Sequence, residues 1–118
     1  MGETTLEELK LQLREFAQAR DWEKFHSPKN LSMALSVEVA ELVEHFQWMT
    51  EKESAQLTPQ CHAAVIFELA DIFIFLLRMS DQMGVDLMEI TKRKMELNSK
   101  RYPVELVKGS SKKYYEYN

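Results

Sequence analysis

Four carboxylates in two short runs carry the chemistry that this sequence suggests. Glu38-Val39-Ala40-Glu41-Leu42 and Glu68-Leu69-Ala70-Asp71-Ile72 match position for position in residue character. On a helix, acids at i and i+3 point the same way, and both pairs fall on an apolar face. At about 100° per residue, Ala64, Val65, Ile72, Phe75, Leu76 and Met79 lie within roughly 90° of Glu68, with Asp71 about 60° to one side. Around Glu38 the same wheel gathers Leu31, Ala34, Leu35, Leu42, Phe46 and Met49, with Glu41 about 60° round. A carboxylate inside an apolar stripe loses hydration and must gain a partner. If the two helices pack antiparallel, the four acids converge and repel one another. Protons, basic side chains or, best, a divalent cation would relieve that repulsion. An all-oxygen donor set without His or Cys suits Mg²⁺, or Mn²⁺. A di-iron bundle needs Glu-x-x-His repeats, whereas His45 follows Glu41 at i+4. Ordinary surface acids would sit on the polar side of their helices, and these do not.

Cap signals mark the helices that must hold these acids. Thr4-x-x-Glu7 and Thr5-x-x-Glu8 are capping-box candidates for a first helix with Leu6, Leu9, Leu13 and Phe16 as its stripe, fraying near Arg20. A connector with two aromatics, Asp21 to His26, follows. Ser27-Pro28 opens a second helix, expected to run to about Met49. Residues 50–58 read as a loop or a short helical turn capped by Thr50. Thr58-Pro59 launches a third helix that runs to about Met83 and stops at Gly84. Asp86-x-x-Glu89 caps a fourth, which continues to near Arg101 before Pro103. The expected fold is all-α: a four-helix bundle-like protomer with a two-helix acidic core, in a domain over 1–103. Residues 104–118 form a tail, partly flexible or docked on a neighbouring subunit through Tyr114, Tyr115 and Tyr117, with Lys112 and Lys113 near enough in sequence to close over that subunit's site.

Composition sets the outer bounds. A chain of 118 residues, 45% hydrophobic, supports one ordinary domain, and three Gly and three Pro leave little room for the turns of an all-β fold. A formal net charge of −4 argues against nucleic-acid binding. The polar, acidic start MGETTLEELK is no signal peptide, and the single Cys61, read as a buried thiol, fits a reducing cytoplasm. The apolar run 61–79 holds His62, Glu68, Asp71 and Arg78, which makes it a core helix and no membrane span.

Phosphoryl chemistry suits a carboxylate cage with a divalent ion. Glycine-rich phosphate loops are absent, so metal and side chains must hold the phosphates. The fourth helix offers Lys94, Asn98 and Arg101 on neighbouring turns, a candidate phosphate clamp. Trp22 and Trp48 bracket the acidic region and suit stacking on a base, or plain core packing. His26 is a loop anchor or a ligand contact.

Taken with these motifs, the stretches RDWEKFHSPKNLSMALSVEVAELVEHFQW (20–48), FELADIFIFLL (67–77) and KMELNSKRYP (94–103) resemble the all-α MazG-type nucleoside triphosphate pyrophosphohydrolases, closest to the dCTP pyrophosphatase branch. The resemblance implies a dimer or tetramer and Mg²⁺-dependent cleavage between the α- and β-phosphates to a monophosphate and pyrophosphate. It implies that Glu38, Glu41, Glu68 and Asp71 ligate the metal, that Trp22 and Trp48 line the base pocket, and that Lys94 and Asn98 contact the nucleotide, with Arg101 and Tyr102 beside them. Glu41 is the candidate to orient or deprotonate the attacking water. The branch can carry a tyrosine in the base pocket where this chain has Phe75, so the implied substrate, dCTP or a modified dCTP, has dUTP or another non-standard nucleotide as its rival. A non-catalytic helical partner-binding module is the alternative of another class.

Overall fold

The computed structural model describes residues 2–111 and 114–116. Lys112, Lys113 and Tyr117, invoked above for the tail, lie outside the described residues, as does the Tyr114 side chain. Six α-helices and no strand occur among the described residues: α1 (Leu6–Ala19), α2 (Pro28–Phe46), α3 (Glu51–Ser54), α4 (Pro59–Gln82), α5 (Leu87–Arg101) and α6 (Val104–Val107). The structure forms two compact units that meet in sequence between Val85 and Asp86.

Local chemistry explains the boundaries. Thr5 and Thr50 each form a reciprocal capping box, with Glu8 and Glu53. Ser27 and Thr58 accept from the third residue on, ahead of Pro28 and Pro59. Helix α2 ends at Phe46, three residues short of the expected Met49. Thr50 must be extended (φ −74°, ψ 163°) to cap α3, so the chain leaves the helix before it. Gly84 takes φ +65° just past α4, as a helix stop requires. Asp21 does the same past α1 at φ 56°, where most chains use glycine. Pro103 ends α5 and also starts α6, a turn that weak periodicity had concealed.

In the first unit α4 packs along α2 and, less extensively, against α1. Helices α2 and α4 run antiparallel: His26, just before α2, meets Arg78 near the end of α4, while Glu38 and Glu41 meet Glu68 further back. Most residues of the stripes read from the sequence are buried or half-buried, Leu31 and Val65 most of all, while Phe16 and Leu76 stay exposed; Leu77 and Ala17, outside those stripes, are also buried. Arg14 on α1 grips Asp81 on α4 through two bonds, Nε to Oδ2 (2.9 Å) and Nη2 to Oδ1 (2.6 Å). Lys10, also buried, donates to the Val85 carbonyl (3.2 Å). Cys61 is a free thiol but only half-buried, because it sits in the first turn of α4 where packing is open. Large apolar side chains stay exposed on α2 (Val37, Val39, Val43) and α4 (Phe67 at 70%, Leu69, Phe73). No helix among the described residues is long and apolar enough to cross a membrane.

In the second unit, α5 is capped by Asp86 and ends where the Tyr102 N–H donates to the Asn98 carbonyl. Lys94 and Asn98 are exposed on it, and Arg101 and Tyr102 are half-buried.

Candidate active site

The antiparallel pairing brings three of the four predicted acids together. One carboxylate oxygen from each of Glu38, Glu41 and Glu68 lies within 4.8 Å of the other two. Glu38 and Glu41 share a face of α2, and α4 supplies Glu68 from the middle of its apolar run. Oε2 of Glu38 and Oε2 of Glu68 are buried with no hydrogen-bond partner. Two ionised carboxylates cannot donate to each other, so proximity alone leaves these oxygens unsatisfied. Burial first, then contact with Glu41 and the charges of Glu41 and Asp71, pushes the Glu38 carboxyl from 4.5 up to about 7. Burial and the charge of Glu41 also raise Glu68. Asp71 is more exposed than the other three and stands outside the closest trio, though its charge reaches both Glu38 and Glu68.

The donor set passes a simple fit test for a hard cation. Oxygens around an ion at about 2.1 Å stand roughly 3–4 Å apart, which the spacing of the trio admits. Two orphaned anionic oxygens are what such an ion would satisfy. Positive side chains do not fill that role, since neither Glu38 nor Glu68 makes an ion pair shorter than 4.0 Å among the described residues.

Further along the same helix is a second feature. A cavity of about 150 Å³ is lined by Leu13, Phe16 and Ala17 of α1, Trp22 and His26 of the connector, and Ile74, Phe75 and Arg78 of α4. Phe16 and Trp22 meet edge to face, with centroids 5.8 Å apart. Seven residues separate Glu68 from Phe75, about 10 Å along the helix. The structure thus gathers the predicted Trp22, His26 and Phe75 into one apolar wall. Trp48 does not join them within one chain: it lies beyond the far end of α2 and is 89% exposed.

Residues 33–116 match the MazG-like family. The chain belongs to that family. Two curated relatives of this MazG-like chain are named dCTP pyrophosphatase 1. The Homo sapiens protein is 44% identical over 116 residues, covering 97% of this chain and 68% of the relative. The Bos taurus protein is 45% identical over 115 residues, covering 96% and 68%. Among solved structures, a pyrophosphatase from Archaeoglobus fulgidus superposes with a TM-score of 0.81 at 41% identity, covering 87% of this chain and 96% of that one.

Reading the sequence alone missed the polar frame of the cavity. Arg78, 3% exposed, donates from Nε to His26 Nδ1 (3.3 Å) and from Nη1 to Asp81 Oδ2 (3.1 Å), and its Nη2 lies 3.9 Å from Glu23 Oε1. The signal was present: Arg78 and Asp81 are spaced i, i+3 inside the most apolar helix, as the acid pairs are. Leu13 and Phe16 were read as packing residues only.

Proposed function

We propose that the acid trio binds a divalent cation, Mg²⁺ by preference and Mn²⁺ as a substitute, and that the protein uses it to split dCTP, or a modified dCTP, into the monophosphate and pyrophosphate. The chain is a nucleoside triphosphate pyrophosphohydrolase of the MazG-like family. The observation that carries the finer reading is the pair of buried, unpartnered oxygens on Glu38 and Glu68 beside Glu41. Glu38, Glu41 and Glu68 would hold the ion, with Asp71 as a fourth, outer acid. When bound, the ion would neutralise phosphate oxygens and make water a better nucleophile. Glu41 takes the proton of the attacking water in this reading. The names of the curated relatives support dCTP as the substrate.

The base is assigned to the cavity of Trp22, His26 and Phe75. An engineered cavity of about 150 Å³ takes up benzene, so the volume here favours one six-membered ring over a fused bicycle. Trp22 supplies the aromatic face. Trp48, also assigned to the base site, would reach it from another copy. Lys94, Asn98, Arg101 and Tyr102 are proposed as nucleotide contacts on their chemistry and the family resemblance. The exposed apolar faces of α2 and α4 support association into a dimer or tetramer, which light scattering at several concentrations tests.

Chromatographic product analysis with dCTP tests the activity. Monophosphate and pyrophosphate should appear in equal amounts, only with added Mg²⁺ or Mn²⁺, and not with Glu68→Gln. Orthophosphate as the first product would refute the reading. Because Phe75 lacks a hydroxyl, dUTP and other non-standard nucleotides belong in the same panel.

A further inference from the structure

We infer that Arg78 is a positioning residue which locks His26 in one tautomer, so that His26 presents its Nε2–H, and not a lone pair, to the 2-carbonyl of a pyrimidine. The inference rests on the proposed assignment of the base to this cavity. A guanidinium carries only donors. The 3.3 Å contact from Arg78 Nε to His26 Nδ1 is therefore a bond only if Nδ1 presents its lone pair. The neutral ring then carries its proton on Nε2, the only ring nitrogen left to meet an occupant. Glu23 on the connector and Arg78 on α4 are the charged groups that face the ring. Burial, then the Arg78 charge, lowers the His26 pKa, with Glu23 opposing more weakly. The ring is therefore neutral at physiological pH.

Arg78 is itself fixed. It is 3% exposed, and its Nη1 is bonded to Asp81. Asp81 is in turn held by both arms of Arg14 on α1. Three elements, α1, the connector and α4, thus set the direction of one imidazole. Among the residues lining this cavity, only Arg78 and the Trp22 and His26 rings carry polar side-chain atoms. An N–H donor in an apolar slot rejects a partner without an acceptor more strongly than it rewards a good one, because an unpaired donor there is costly.

The test uses Arg78→Lys, which keeps the charge but loses the rigid planar fork that bonds His26 and Asp81 at fixed angles. Long-range ¹H–¹⁵N spectra of the full-length protein should show His26 as the Nε2–H form in the wild type. In Arg78→Lys they should show a tautomer mixture. Steady-state kinetics with dCTP and 2-thio-dCTP form the second arm. Sulfur is a poor acceptor, so wild type should favour dCTP by about 3- to 10-fold in kcat/KM, the worth of one hydrogen bond. Arg78→Lys should lose most of that preference through KM, with kcat changed less than twofold. His26→Gln, whose amide places an N–H near the Nε2 position without help from Arg78, should restore part of it in the double variant. An unchanged His26 spectrum in Arg78→Lys would overturn the positioning claim. A changed spectrum with undiminished dCTP preference would overturn the specificity claim and the base assignment with it. Absence of dCTP turnover in the wild type would refute the proposed function while leaving the spectra to decide the tautomer.

Discussion

Replacing Glu38 with glutamine should make the metal-free protein more stable. Glu38 titrates near pH 7 in the folded chain against an ordinary 4.5. Between those values the folded state binds the proton more tightly than the unfolded state, so stability falls as pH rises through that window. Below about pH 4.5 both states are protonated and nothing is lost; above 7 the full cost applies. At 1.36 kcal/mol per unit the shift corresponds to at most about 3 kcal/mol. Partial solvent access to the cluster reduces this to about 1–2 kcal/mol. Glu38→Gln carries no charge at any pH. In EDTA at pH 8 it should therefore melt roughly 4–8 °C above wild type, and at pH 4 the two should coincide. With saturating Mg²⁺ the order should reverse, since an ion at 100 times its Kd adds about 2.7 kcal/mol to wild type and little to the variant. Thermal melts at fixed protein concentration measure all of this. If Glu38→Gln melts below wild type in EDTA at pH 8, the oxygens were satisfied after all and the repulsion argument fails.

Glu68→Gln should lower turnover by about 100-fold or more while the fold persists, read by circular dichroism and product release. Asp81→Asn should cost about 3 kcal/mol in urea unfolding, because it removes the nearer of the two carboxylates paired with the buried Arg78 and leaves only Glu23 at 3.9 Å. Asp81 is held below the usual carboxylate range by Arg14 and Arg78. Its contribution should persist from neutral pH down to its ordinary value near 4 and vanish only as pH falls through the depressed folded value. Phe75→Tyr adds a hydroxyl to the cavity wall and should raise the ratio of kcat/KM for dCTP over dTTP by about 3- to 10-fold. Thr50→Ala should cost about 1 kcal/mol through loss of the α3 cap, with kcat unaffected.

Helix starts were legible because their signals are local. A Thr, Ser or Asp cap with a proline or a glutamate within four residues marks where α1, α2, α3, α4 and α5 begin. The acid cluster was legible for another reason: Glu38 and Glu68 break an apolar pattern, and a charge in a greasy stripe demands an explanation. The link from Arg78 to His26 spans 52 positions, and no periodicity reports such a contact. Within one chain Trp22 and Trp48 stand before and after α2, on either side of the acids, as their places in the sequence suggest. Asp71 was grouped with Glu68 by the wheel, and its 60° offset is enough to leave it more exposed.

Helix α4 acts as a ruler. Glu68 at one mark and Phe75 at another are joined by unbroken helix, with no loop whose length can drift. Inserting a single residue between them would lengthen the gap by only about 1.5 Å but swing everything beyond it by about 100°. The cavity wall would then turn away from the acids altogether. Any descendant of this chain that handles a longer or shorter molecule must therefore adjust at the connector or at α1, because the rod itself permits no gradual change.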